Sequence, residues 1–139
     1  MDAKIFNTDD GQIVLDTFDV LPSNPSTSID CDPTVVVSKM RTALLERPLK
    51  PELRERRLSR QLRQFAIAPQ LNFSTTDDQR TLLELICLDE PGLLAKVALA
   101  LLTHEIRIHN ARIATFGERA EDYFWLTDQQ DLPLSLIHI

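Results

Sequence analysis

A strand, a break and a helix follow one another in residues 81–103, which have the sequence TLLELICL, DEPG and LLAKVALALLT. The first eight residues form an apolar run of strand length. Pro91 and Gly92 then interrupt the run, and proline is favoured in the first turn of a helix. Apolar residues recur at helical spacing after the break. They are Leu94, Val97, Ala98 and Leu101. Further leucines widen this stripe almost all round, so we expect the helix to be buried on more than one side.

Two further strands follow this helix. Ile106 and Ile108 begin the first of them, and Gly117 separates the strand-like segments 113–116 and 120–127. A glycine between two such runs is typical of a hairpin turn. Residues 76–132 therefore predict the element order β-α-β-β.

The part of the chain before residue 76 predicts a different order, β-β-α-β. Asp32-Pro33 is a good N-cap and first-turn pair for a helix over about 34–46. Residues 66–75 predict a strand, and Pro69 favours an edge position for it.

The two hairpins align with each other as an internal repeat. The aligned pairs are Asp2–Ile5 with Asn110–Ile113, Gly11 with Gly117, Asp16 with Asp122, and Phe18 with Phe124. Each copy has an Asp two residues before a Phe, so both side chains lie on one strand face. The separation exceeds the period of about 20–50 residues found in solenoids and indicates tandem domains. Chance similarity of two hairpins is the alternative.

Superposing the two element orders gives a complete βαββαβ unit, so the predicted fold is α+β with two partial copies of the ferredoxin-like motif. In that motif the first and fourth strands are neighbours. The second copy lacks a fourth strand and the first copy lacks a first strand. Unpaired strand edges are a liability. We therefore expect residues 66–75 to pair with residues 81–88 as an antiparallel hairpin, through a turn near 76–79.

Composition restricts the class of protein. The chain has 139 residues, of which 43% are hydrophobic and 26% charged, as in a typical globular domain. We expect no membrane helix and no signal peptide, because no apolar run approaches about 20 residues and the N-terminal segment is acidic. Two cysteines are too few for a disulfide framework or a structural zinc site. These features favour a cytoplasmic location.

Charge is unevenly distributed along the chain. The net charge is −6, and two acidic blocks flank the segment 46–64, whose net charge is +4. We interpret the basic part, about 47–64, as a solvated connector. Nucleic-acid binding through the run from Arg54 to Arg63 is a less favoured alternative, because the overall charge is acidic.

Three segments carry a resemblance to a known family. The loop DEPGLL at 89–94 resembles that of the ACT domain, a small-molecule sensing module. Two longer strings, RTLLELICLDEPGLLA at 80–95 and NARIATFGERAEDYF at 110–124, resemble the second of two C-terminal ACT domains of bifunctional uridylyltransferase/uridylyl-removing enzymes. The first hairpin, 3–18, resembles the matching part of the first ACT domain.

This resemblance covers about residues 2–132. It implies a partial first ACT domain over 1–75, which includes the basic connector, and a partial second ACT domain over 76–132. The tail 133–139 departs from the family pattern, and we interpret it as a non-native end.

The same resemblance implies a role in nitrogen regulation. In this family a nucleotidyltransferase domain adds UMP to the PII protein, an HD-type hydrolase domain removes it, and the ACT pair senses glutamine. The implied partners are glutamine or another amino acid, another ACT unit, and PII through the catalytic domains. We expect neither nucleic acid nor a membrane as a partner.

No catalytic residues are expected in this chain. The family's magnesium belongs to its catalytic domains, so we expect no cofactor and no metal site here. The string Asp30-Cys31-Asp32 lacks a preceding Gly-Ser motif, and none of the three histidines is followed by Asp. We therefore expect no uridylyl transfer or removal by this chain alone.

The predicted ligand site is the loop between the first strand and helix of the second copy. Its residues are Asp89, Glu90, Pro91, Gly92, Leu93 and Leu94, together with Asn110 on a neighbouring strand. Free backbone N–H groups at the helix start favour an amino-acid carboxylate. Gly92 would allow close approach, and Asp89 would accept from an ammonium group.

Structural alternatives stay open for these residues. Asp89 could instead cap the helix, and Asn110 could be a bulge or edge residue. We expect Arg112 and Asp122 to be a cross-strand pair, and Cys87, Phe124 and Trp125 to be packing residues. A further alternative is a protein-interaction module without a ligand, docking through the Leu-rich helix 93–102.

Overall fold

The computed structural model describes residues 2–8, 13–19, 32–46 and 68–135. Its elements follow the predicted order. They are β1 (Asp2–Asn7), β2 (Val14–Asp19), α1 (Pro33–Glu46), β3 (Gln70–Thr75), β4 (Thr81–Leu88), α2 (Leu93–Thr103), β5 (Arg107–Phe116) and β6 (Arg119–Thr127). The sheet and α2 belong to one compact unit, and α1 belongs to a second. Gly11, the counterpart of Gly117 in the repeat, lies outside the described residues, as do the basic connector 47–64 and Cys31.

The six strands form one antiparallel sheet in the order β2-β1-β5-β6-β4-β3. Within it, β3-β4-β6-β5 has the strand order of a ferredoxin-like unit, with β3 in the place of the fourth strand. The α+β ferredoxin-like prediction is therefore confirmed. The last strand of the first copy thus occupies the fourth-strand position beside β4.

The β3–β4 hairpin confirms the predicted pairing of the two copies. Its register runs from Gln70 opposite Ile86 to Thr75 opposite Thr81. The turn is fixed by Thr76, whose backbone N–H donates to the carbonyl of Arg80 over 2.8 Å and whose hydroxyl bonds Asp78. β3 is an edge strand and begins directly after Pro69, as the missing N–H of proline favours.

The two aligned hairpins meet through β1 and β5 and are related by an approximate twofold axis. Lys4 lies opposite Arg112, which is its own counterpart in the repeat. Ile5 lies opposite Asp16 in the first hairpin, as Ile113 lies opposite Asp122 in the second. An antiparallel pairing in which equivalent residues face each other is the arrangement that a twofold axis produces.

The core lies between α2 and one face of the sheet. Its buried residues are Ala3, Leu83, Leu101, Ala111, Ile113, Phe124 and Leu126, and Leu94 and Val97 of α2 pack against them. The backbone N–H of Leu134 donates to the Thr81 hydroxyl over 2.8 Å. Leu134 also packs against this core, which attaches the start of the C-terminal tail to the sheet.

The expectation that α2 is buried on more than one side was wrong. Only Leu101 is fully buried in this helix, and Leu102 is 68% exposed. In the described part of the chain, the packing residues of α2 form one stripe against the sheet, made of Leu93, Leu94, Val97 and Leu101. Leu102 lies outside this stripe.

The N-terminus of α1 has the predicted cap. Asp32 Oδ1 accepts a hydrogen bond from the Thr34 backbone N–H over 2.8 Å and another from the Thr34 hydroxyl. These bonds hold the pKa of Asp32 below its usual value, since they stabilise the carboxylate. Asp32 is therefore a helix cap. In the described ranges, no helix is long and apolar enough to cross a membrane.

Candidate functional site

A cavity of about 530 Å³ opens at the start of α2, beside strands β5 and β6. Half of its lining comes from the predicted loop and helix start, residues 89–94. The other lining residues are Ala95 and Ala98 of α2, Ile113 and Thr115 of β5, and Ala120 and Asp122 of β6. Small-molecule sites typically occupy about 300–1,000 Å³ and are mostly apolar with a few polar groups. The cavity has both properties.

Asn110 is the one predicted site residue that does not line this cavity. Side chains alternate along β5, so Asn110 and Arg112 lie on one sheet face while the lining residues Ile113 and Thr115 lie on the other. Asn110 instead lies opposite Phe6, where strands of the two copies meet, next to a β-bulge at Ile108/Asn110.

The start of α2 has no side-chain cap, although the Leu93 backbone N–H donates to the Glu90 carbonyl over 3.0 Å. Gly92 is the N-cap residue, and no side chain caps the helix. First-turn N–H groups of a helix have no partner within it and carry partial positive charge. Gly92 has φ +84°, and a Cβ atom there would meet nothing within 4 Å. Glycine is therefore required for its backbone conformation, and the space beside it is open to a ligand.

Asp89 and Glu90 have separate structural tasks. The backbone N–H of Asp89 donates to the Glu118 carbonyl over 2.8 Å, which ties the loop to the β5–β6 turn. Its exposed side chain does not cap α2, so the helix-cap alternative for Asp89 was wrong. Glu90 is paired with Lys96 at 2.7 Å. Its carboxylate therefore already has a cationic partner.

Asp122 is a buried carboxyl group in the wall of the cavity. Its side chain is 1% exposed, and its Oδ1 atom has no hydrogen-bond partner among the described residues. Burial raises its pKa to about 6. The Ala114 backbone N–H, which bonds the carboxylate, opposes the rise, and the charge of Asp89 adds to it.

Sequence reasoning assigned Asp122 the wrong partner. The register places Arg112 opposite Tyr123 and Asp122 opposite Ile113, so the predicted Arg112–Asp122 pair does not form. Arg112 is exposed, and Asp122 lies on the other face. The alternation of Ala120, Asp122 and Phe124 along β6 could have revealed a carboxylate on an apolar face.

Cys87 is a core residue, as expected. It is buried with Leu85 and Ala120, and burial raises the pKa of its thiol, with the charge of Asp122 adding to the rise. Phe124 is likewise buried in the core. The described residues contain no group of three or more His, Cys, Asp or Glu side chains placed to hold a metal ion.

Fold and cavity together define the class: an α+β, ferredoxin-like domain with a small-molecule-sized cavity at a helix N-terminus. Within that class, the chain is homologous to one segment of the bifunctional uridylyltransferase/uridylyl-removing enzymes. It is 45% identical over 122 residues to the enzyme of that name from Xanthomonas campestris pv. campestris (strain B100), a match that covers 87% of this chain and 14% of the enzyme.

Two other relatives extend this similarity. The enzyme of the same name from Xanthomonas axonopodis pv. citri (strain 306) is 45% identical over 88% of this chain and 14% of its own length. That from Psychrobacter cryohalolentis is 36% identical over 97% of this chain and 15% of its own length. The chain thus spans about one seventh of the curated relatives it matches. No protein-family model and no solved structure matches the chain.

Proposed function

We propose that this chain is an amino-acid-sensing regulatory segment of a bifunctional uridylyltransferase/uridylyl-removing enzyme, with glutamine as its effector. Its parent enzyme would modify PII in nitrogen regulation through catalytic domains that this segment does not include. In this proposal the ligand occupies the cavity at the start of α2 and changes the balance between the two activities.

The cavity itself is the observation that carries this proposal. A carboxylate fits the uncapped helix start, where N–H groups and the helix dipole favour an anion. The apolar lining, including Leu93, Leu94 and Ile113, suits the methylene part of an amino-acid side chain. The similarity to the uridylyl-modifying enzymes supplies a biological setting for such a site.

Titration calorimetry of the 139-residue chain with L-glutamine tests the proposal. We expect saturable heat with one site per chain. The other standard amino acids, titrated in the same way, show whether glutamine is the preferred effector. If none of the amino acids gives saturable heat with the folded wild-type chain, the sensing function is wrong.

A pair of glycine substitutions locates the binding site on the chain. Gly92→Val should weaken amino-acid binding more than Gly117→Ala, because a branched side chain at the helix start would obstruct the approach to the N–H groups. Both glycines have positive φ, so each substitution should also lower stability by about 1–2 kcal/mol. Circular dichroism confirms folding of each variant. Equal losses of affinity in two folded variants would remove this loop from the site.

A ligand-free protein-interaction module is the second candidate. Docking through α2 would depend on Leu102, which is 68% exposed. Leu102→Ser discriminates the two functions: it should leave amino-acid binding unchanged, but it would abolish association with a second domain if α2 is a docking helix. The run from Arg54 to Arg63, on which nucleic-acid binding depended, lies outside the described residues.

A further inference from the structure

Three carboxylates line the cavity, and they differ in what holds them. Glu90 is paired with Lys96, and Asp89 is exposed to solvent. Asp122 alone of the three combines near-complete burial with an oxygen that has no partner among the described residues. A buried polar atom without a partner normally lowers the stability of the folded state by about 1–3 kcal/mol. Such an atom in a cavity wall therefore needs a functional or structural reason.

A bound cationic donor would relieve that cost. The Ala114 N–H already donates to the carboxylate, and Oδ1 of this cavity-lining residue has no partner among the described residues. The lining contains no Lys, Arg or His, so a complementary charge must come from the ligand. A divalent metal is a poor match, because the described residues include no group of three potential ligands. An ammonium group needs only one carboxylate and supplies the missing hydrogen bond.

We propose that Asp122 is the specificity-determining residue of the cavity and accepts a hydrogen bond from the primary ammonium group of the bound ligand. This proposal rests on the proposed amino-acid-sensing function and replaces Asp89 with Asp122 as the ammonium acceptor. The uncapped start of α2 receives the carboxylate, and Asp122 receives the ammonium group. The cavity then selects ligands that carry both groups and rejects those in which the amine is blocked.

The internal repeat supplies a matched control. Asp16 occupies the position of Asp122 in the first hairpin and lies opposite Ile5 as Asp122 lies opposite Ile113. Its side chain is exposed and does not line the cavity. Asp16→Asn therefore makes the same chemical change at the equivalent backbone position without touching the site.

The test is calorimetry on the wild type, Asp122→Asn and Asp16→Asn, using the tightest-binding standard amino acid and its N-acetyl derivative. We expect Asp122→Asn to weaken binding of the free amino acid by about 10- to 100-fold, as for loss of a charged hydrogen bond. Asp16→Asn should leave affinity unchanged. The N-acetyl derivative should bind the wild type as weakly as the free amino acid binds Asp122→Asn.

Two results would overturn the assignment of Asp122. One is equal affinity of the free amino acid for the wild type and Asp122→Asn. The other, which requires no variant to fold, is equal affinity of wild type for the free and N-acetylated ligand. Absence of binding by any amino acid to wild type would instead overturn the sensing function, and this inference with it. The two failures are distinguishable. Failure of the sensing function appears with the wild type and unmodified amino acids, whereas failure of the Asp122 assignment requires a variant or a modified ligand to detect.

Discussion

The two hairpins of this molecule have the same register and the same Asp-x-Phe pattern, yet their side chains lie in different environments. Asp122 and Phe124 of β6 are each 1% exposed. Their counterparts on β2, Asp16 and Phe18, are exposed, and Phe18 retains 37% of its surface. The difference arises from neighbours, because β6 lies between β4 and β5 whereas β2 is an edge strand of the described sheet.

This contrast shows that a motif can fix the face on which a side chain lies without fixing its burial. The strand register places both Asp residues on the sheet face that α2 partly covers. Only Asp122 has α2 and two flanking strands around it, and only Asp122 has its pKa raised to about 6 by burial. The same carboxyl side chain at the same repeat position is therefore solvated in one hairpin and buried in the other.

Of the predicted effects, the largest is the difference in the free energy of unfolding between variants that truncate the two phenylalanines. Phe124→Ala removes a fully buried ring and should lower the free energy of unfolding by about 3–5 kcal/mol. Phe18→Ala removes a partly exposed ring and should lower it by about 1 kcal/mol. Urea denaturation of both variants measures the difference. Similar losses would mean that Phe18 is covered in solution and that the contrast between the hairpins is wrong.

Substituting Asp122 should have a smaller effect on stability, and of opposite sign: the free energy of unfolding should rise. The pKa of Asp122 is raised in the folded state, so its contribution to stability is full below about pH 4 and is lost as pH rises to about 6. Asp122→Asn, which resembles the protonated acid, should raise stability by about 1–2 kcal/mol at pH 7.5. The gain should vanish at pH 4.

Asp16→Asn is the control for this pH dependence. Partial desolvation also raises the pKa of Asp16, but its exposed side chain is screened by water, so we expect little change in stability at either pH. Thermal melting at pH 4 and pH 7.5 measures all three proteins. A loss of stability in Asp122→Asn at pH 7.5 would show that the carboxylate is a structural acceptor rather than a strained site residue.

The smallest predicted effect concerns the approximate twofold axis between the hairpins. Lys4 and Arg112 lie opposite each other across it, and like charges in such a pair are destabilising. Lys4→Glu should therefore stabilise the chain by about 0.2–1 kcal/mol, more at low ionic strength. Adding Arg112→Glu should cancel the gain. A double-mutant cycle by urea denaturation measures the coupling, and zero coupling at low salt would contradict this register.

Local patterns were sufficient for the elements themselves. The apolar run 81–88 is β4 with the predicted bounds, and the break at Pro91-Gly92 places the start of α2 within one residue. The loop 89–94 was predicted as a site because helix starts have free donors, and it does line the cavity. Each of these features depends on residues that are neighbours in sequence.

Long-range features were harder to predict. The spacing of Arg112 and Asp122 suggested an ion pair, but a one-residue difference in register moves a side chain to the other face of the sheet. The composition of α2 suggested burial on several sides, yet Leu102 is 68% exposed. Both errors came from inferring the neighbours of a residue from its side-chain type alone.

The sequence by itself determined the strands, the helices, the repeat and the pairing of β3 with β4. These follow from periodicity, turn residues and the need of strand edges to pair. Only the tertiary structure decided that Asp122, and not Asp16 or Asp89, is the buried carboxylate in the cavity. Burial depends on which elements pack around a residue, and that packing joins β4, α2, β5 and β6 from separate parts of the chain.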